Sequence, residues 1–193
     1  MNRKKKNWTL ASLFLLASCG LALGQMDKAA EHLGAGQVLD LMVANAEREI
    51  VPAADAMPEG KYSFAPTSGE FHGARTFAEQ VKHLAAANYQ LGARILGEKP
   101  PAGTVGTKSE SAPDSVKTKA EIMEHLKGSF AYLHKAVGTV DERNIVEPIQ
   151  GASGTWEKTR LGLAVDAIAH SYDHYGQMVE YLRANGIVPP ASR

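Results

Sequence analysis

Apolar side chains recur at helical spacing in four separate stretches of this chain, and no stretch alternates as a strand would. The first begins near Gln37 and sets Leu39, Met42, Val43, Ala46 and Ile50 on one face, with Pro52 expected to end or kink the helix. Met57-Pro58-Glu59-Gly60 is a turn signal, and Lys61 to Gly73 reads as an irregular connection anchored by Tyr62 and Phe64. The second helix opens at Thr76 with Glu79 three residues on, a capping box, and aligns Phe77, Val81, Leu84, Asn88, Leu91 and Ile95 before Gly97. Glu98 to Ser115 turns to Pro, Gly, Ser, Thr and Lys, too little apolar surface to order itself, and reads as an exposed loop. Thr118 and Glu121 form another capping box ahead of Ile122, Leu126, Phe130, Leu133 and Val137, and Gly138 breaks that pattern.

The fourth pattern is the longest. After a second irregular stretch, Val140 to Lys158, it starts at Leu161 and stops at Asn185-Gly186, where glycine supplies a left-handed cap, Ile187 can pack back on the last turn, and Pro189-Pro190 forbid continuation. Leu161, Val165, Ile168, Tyr172, Tyr175 and Val179 share one stripe, expected to be core. A second stripe carries Leu163, Ala167, His170, His174, Gln177 and Tyr181, and Asp166, Asp173 and Glu180 form an acidic strip between the two. A helix apolar on two faces is largely buried, so both histidines are expected to look into protein, one turn apart. Four amphipathic helices and no strand predict an all-α four-helix bundle.

Composition alters this picture mainly at the N-terminus. Among 193 residues, 21 Lys and Arg balance 21 Asp and Glu, so long-range attraction to nucleic acid or anionic lipid is absent and neither is expected as a partner. Arg3-Lys4-Lys5-Lys6 followed by the apolar run Trp8 to Leu23 has the form of a secretory signal, short for a spanning helix, so residues 1–24 are expected to be removed and the mature protein exported, periplasmic or secreted, without a transmembrane helix. Ala22-Leu23-Gly24 suits ordinary cleavage before Gln25, the cut favoured because the apolar run continues past Cys19. Leu16-Ala17-Ser18-Cys19 resembles a lipobox that would leave a lipoprotein anchored through Cys19. Either cut leaves no cysteine pair, hence no disulfide and no cysteine-based metal site.

Seven histidines make one i, i+4 pair a weak motif by itself, but burial raises it, because a buried imidazole needs a partner. Metal ligation and two satisfied core histidines are both open on spacing alone. A third ligand would come from His32, His72, His83, His125 or His134, and periodicity does not choose among them. No HExxH, phosphate loop or serine triad is present.

Thr159-Arg-Leu-Gly162, Ala169-His-Ser-Tyr-Asp-His-Tyr-Gly-Gln177, Tyr181-Leu-Arg and Asn185-Gly-Ile-Val-Pro-Pro190 resemble the last helix of the DinB-like (DinB/YfiT) family of bacterial four-helix-bundle metalloproteins. Arg75-Thr-Phe-Ala-Glu-Gln-Val-Lys-His-Leu-Ala-Ala-Ala-Asn-Tyr89 is similar to its second helix, and Lys119 to Val137 to its third, so the resemblance covers about residues 34–190. It implies one divalent ion, zinc or nickel, on His83, His170 and His174, with an open position for water or substrate. His32, His72, His125 and His134 match no family ligand. Gln177 and Tyr181 are the expected supporting residues behind the ligands. Characterised relatives include thiol-dependent transferases and isomerases; those thiols are mainly cytoplasmic, so export favours a metal-dependent hydrolase, with a thiol transferase or a noncatalytic metal or small-ligand binding module as alternatives. The substrate is expected to be a small molecule of unknown class, and the family permits a homodimer.

Overall fold

The computed structural model describes residues 32–66, 73–107, 111–155 and 158–193. The expected signal peptide, Cys19 and His72 lie outside them. Four helices make up the described fold: α1 (Ala35–Ala56), α2 (Phe77–Leu96), α3 (Lys119–Val137) and α4 (Arg160–Ala184). Among the described residues there is no strand, and no helix is long and apolar enough to cross a membrane.

Local chemistry accounts for the helix ends. The Thr76 hydroxyl accepts from Glu79 N at 3.2 Å while the Glu79 carboxylate takes the Thr76 N–H at 2.7 Å, and Thr118 with Glu121 repeats the arrangement. Thr159 caps α4 by accepting from Gly162 N at 3.1 Å. At the other ends Gly97 (φ 72°) and Gly186 (φ 72°) take the left-handed conformation, and Ile187 N bonds back to Leu182 O.

α2 packs against α3 and α4, and α1 packs against both from the other side. The ends of the chain segments show their directions. Lys119 Nζ donates to Asp55 O, Lys61 Nζ to Asn185 O and the Tyr181 hydroxyl to Arg75 O, so the ends of α1 and α4 and the starts of α2 and α3 share one pole of the bundle. At the opposite pole Ala35 N donates to the Glu142 carboxylate and Leu161 N to Ile145 O. α1 and α4 therefore run one way, α2 and α3 the other. Their interior is closed by fully buried Ile50, Phe77, Leu84, Ile95, Leu126, Phe130, Leu133, Leu163 and Leu182. Tyr62 and Phe64 act as the anchors expected of them. Tyr62 donates to Ala54 O at 2.9 Å and meets Phe77 edge-on, and Phe64 meets Tyr181 in the same way.

Two expectations, and the first of the two alternatives for Pro52, need correction. Pro52 does not end α1, which continues to Ala56. Pro52 and Arg48, whose carbonyl loses its partner to the proline, both face solvent, while Ala53, Ala54 and Met57 beyond them are buried and hold the last turn down. Met42 is 42% exposed, on a flank of α1 that its neighbours leave open. On α4, Val165 (49% exposed) and Tyr172 (38%) are not core. The two predicted stripes are the edges of one wide buried arc, centred on Ala164, Ser171, Met178 and Leu182, because α4 is wedged between α1 and α2. Asp173 and Glu180 lie opposite that arc, in solvent.

Candidate metal centre

His83 lies two turns into α2, and His170 and His174 lie one turn apart on α4, at the edge of the arc that faces α2. The antiparallel seam between these helices brings the three rings together. His170 Nε2 is 3.2 Å from His83 Nε2 and 3.0 Å from His174 Nε2, and one nitrogen from each ring lies within 4.8 Å of the others. His83 and His174 are 9% and 4% exposed, and His170 is half-buried.

Hydrogen bonding alone does not satisfy this convergence. A neutral imidazole offers one N–H and one lone pair, so His170 Nε2 cannot serve both neighbours with one well-directed bond. Burial, then the charge of His83, holds the His170 imidazole below its usual pKa, and burial, then His170 and His83, pushes His174 down to about 4. Both rings are neutral at pH 7, with lone pairs to give. Bonds of about 2.05 Å in a tetrahedral site place ligand nitrogens roughly 3.3 Å apart, close to the spacing here, so the donor set fits a divalent ion. His170 Nδ1 and His174 Nδ1 are buried without a hydrogen-bond partner.

A cavity of about 200 Å³ reaches His83 and His170 and is also lined by Ala87, Gln90, Leu91, Arg94 and Asp166. The sequence had marked Leu91 only as core and Asp166 only as part of an acidic strip, and had given Ala87, Gln90 and Arg94 no role, although their signal is positional: Asp166 is one turn before His170, and Ala87, Gln90 and Arg94 repeat the stripe of His83. Gln80, buried one turn before His83, was likewise unmarked; its amide donates to Gln177 Oε1, and Gln177 Nε2 donates to Asp173 at 3.0 Å. Gln177 thus joins α2 to α4 beside the histidines, and one turn further along Tyr181 ties α4 to the segment just before α2, through its bond to Arg75 O at 2.8 Å. Among the described residues, His125 and His134 stand elsewhere. His125 packs on Tyr89, and His134 bridges Asp40 and Glu47 of α1, its Nδ1 2.5 Å from Asp40 Oδ1.

No curated protein matches this chain. The family model described as DinB superfamily matches residues 42–178, a span that holds the three histidines and every residue lining the cavity beside them. On that match, and with the histidines meeting where α2 and α4 of a four-helix fold face each other, the chain belongs to the DinB superfamily.

Proposed function

We propose that this protein is an exported metal-dependent hydrolase in which His83, His170 and His174 hold one divalent ion, zinc or nickel. The observation that carries the reading is the convergence of three imidazole nitrogens, two of whose rings, His83 and His170, line a cavity. Bound there, such an ion supplies Lewis acidity and a water whose pKa is brought toward neutrality. The chain's own residues do the rest. Burial keeps the rings of His170 and His174 neutral, and the Gln80–Gln177–Asp173 chain holds α2 and α4 in register at the level of the histidines. The cavity meets His83 and His170 directly, which favours an accessible coordination position over the closed sphere of a structural ion. A family thiol transferase would need a low-molecular-weight thiol. The signal-like residues 1–24 would take the chain away from the compartment that holds those thiols, so hydrolysis is placed first.

Elemental analysis of the purified protein, followed by a hydrolase substrate panel on the metal-loaded form, tests the proposal. About one ion per chain is expected, lost when His83, His170 and His174 are all replaced by alanine. A triple variant that keeps stoichiometric metal sinks the ligand assignment, and a metal-loaded protein that cleaves no ester, amide or phosphoester in the panel sinks the hydrolase.

A further inference from the structure

His170 has one ring nitrogen accounted for and one that is not. Its Nε2 is turned to His83 and His174, at 3.2 and 3.0 Å. An imidazole that gives the Nε2 lone pair carries its proton on Nδ1, and here that nitrogen is buried without a hydrogen-bond partner. Ligating histidines are ordinarily oriented by the bond their other nitrogen donates, to a carboxylate, a carbonyl or a water. Gln177 and Tyr181, expected from the sequence to give that support, are committed elsewhere: Gln177 to Gln80 and Asp173, Tyr181 to Arg75 O.

Asp166 stands one turn before His170 on α4, and side chains four apart on a helix are neighbours. At about 100° per residue, Asp166 and His174 flank His170 by about 40° on opposite sides. A ring that turns its Nε2 edge to His174 therefore turns its Nδ1 edge to the side of Asp166. Helical side chains also lean toward the N-terminus, which carries the His170 ring back over the turn that holds Asp166. The surroundings agree. The charge of Asp166 acts on the His170 ring, and both residues are half-buried and line the same cavity of about 200 Å³. Among the described residues lining that cavity, Asp166 is the one carboxylate. Among the described residues, the cluster of mutually close ligand atoms holds three histidines and no carboxylate, so Asp166 stands behind the ligand set and not in it.

We propose that Asp166 is a positioning residue for His170. Its carboxylate accepts the Nδ1–H, directly or through one water in the shared cavity, fixes the tautomer and ring plane that present Nε2, and places a negative charge behind the ring. This inference rests on the metal-centre reading.

Zinc affinity, measured on the purified protein by competition with a chromophoric chelator, tests it in wild type, Asp166→Asn and Asp166→Ala. Asp166→Ala is expected to weaken zinc binding by about 10–100-fold while still taking about one ion per chain at saturation. Asp166→Asn keeps an acceptor oxygen and loses the charge, and its affinity is expected to fall between the two. Melting in the presence of chelator is expected to match wild type in both variants, which separates lost affinity from lost fold. Histidine-ring nitrogen NMR of the zinc-loaded protein adds a readout that a packing role would not move: the His170 Nδ1–H should exchange slowly with water in wild type and faster in Asp166→Ala. Zinc bound by Asp166→Ala as tightly as by wild type, or an Nδ1–H that exchanges at the same rate in both, overturns the proposal and leaves the ligand assignment standing. A wild-type protein that takes up no zinc overturns the metal reading, and this inference with it.

Discussion

Gly36 sits in the first turn of α1 where that helix meets the end of α3, and it sets up a test of the fold on which the histidine cluster depends. A helical glycine replaced by alanine ordinarily stabilises a protein by up to about 1 kcal/mol, through chain entropy and helix propensity. At Gly36 the sign should reverse. An added Cβ would lie 2.5 Å from Val140 O and 3.0 Å from Val137 O, both backbone atoms held by the close of α3 and unable to swing aside. Overpacking of this kind costs about 1–3 kcal/mol, and the propensity gain is smaller in a first turn, so Gly36→Ala should destabilise by about 1–2 kcal/mol. Gly176, in the middle of α4 with nothing within 4 Å of its added Cβ, is the matched control and should gain about 0.5–1 kcal/mol. Urea unfolding in the presence of chelator reads both, as opposite shifts in midpoint at an unchanged m-value. At roughly 2–4 °C per kcal/mol for a domain of this size, melting temperatures should part by about 3–12 °C. A Gly36→Ala protein as stable as wild type would refute the close approach of α1 to the end of α3. Metal content should be the same in both variants, since neither position touches the histidines.

Two further predictions concern the centre itself. A divalent ion at one hundred times its dissociation constant should raise stability by about 2.7 kcal/mol, or roughly 5–10 °C, and His174→Ala should abolish the rise; identical melting with and without chelator would refute ion binding. In metal-stripped protein His174 has a folded-state pKa of about 4, below its unfolded value of 6.5, so the unfolded chain takes up this proton first. Its contribution is therefore complete above pH 6.5 and is lost as pH falls toward 4, by about 3 kcal/mol, with His170 acting in the same direction. Subtracting the pH profile of His174→Leu should remove most of this slope, and a wild-type profile parallel to that of the variant would contradict it.

Much of the bundle was legible because helix starts and stops are local chemistry. The boxes at Thr76 and Thr118 and the glycines at 97 and 186 act within a few residues of themselves, and they appear where the sequence placed them; the cap at Thr159 is equally local but was read only from the structure. The core stripes of α2 and α3 were equally clear, since Val81, Leu84, Leu126 and Phe130 leave one dominant apolar face to bury. α1 was legible except for Pro52 and Met42, whose outcome turned on what packs beyond them. α4 misled, since small or polar Ala164 and Ser171 hold the middle of its buried arc over the first half of the helix, where larger apolar residues mark the edges, and Met178 and Leu182 fill that middle only further along. Hydrophobicity weighs the edges more heavily than the middle, so one broad face looked like two.

The sequence by itself determined four helices, the ends of the last three, a histidine pair one turn apart and, through family resemblance, a third histidine on the second helix. Periodicity could not choose that third residue, because a helical wheel orders residues around one axis and carries nothing about the neighbouring helix. Only the tertiary structure decided that α2 and α4 lie antiparallel with His83 level with His170, and that Asp166 and Arg94 share a cavity with them. The physical reason is that capping and amphipathicity are properties of a single segment, whereas a metal centre and its pocket exist only once two segments distant in sequence are packed at a fixed register.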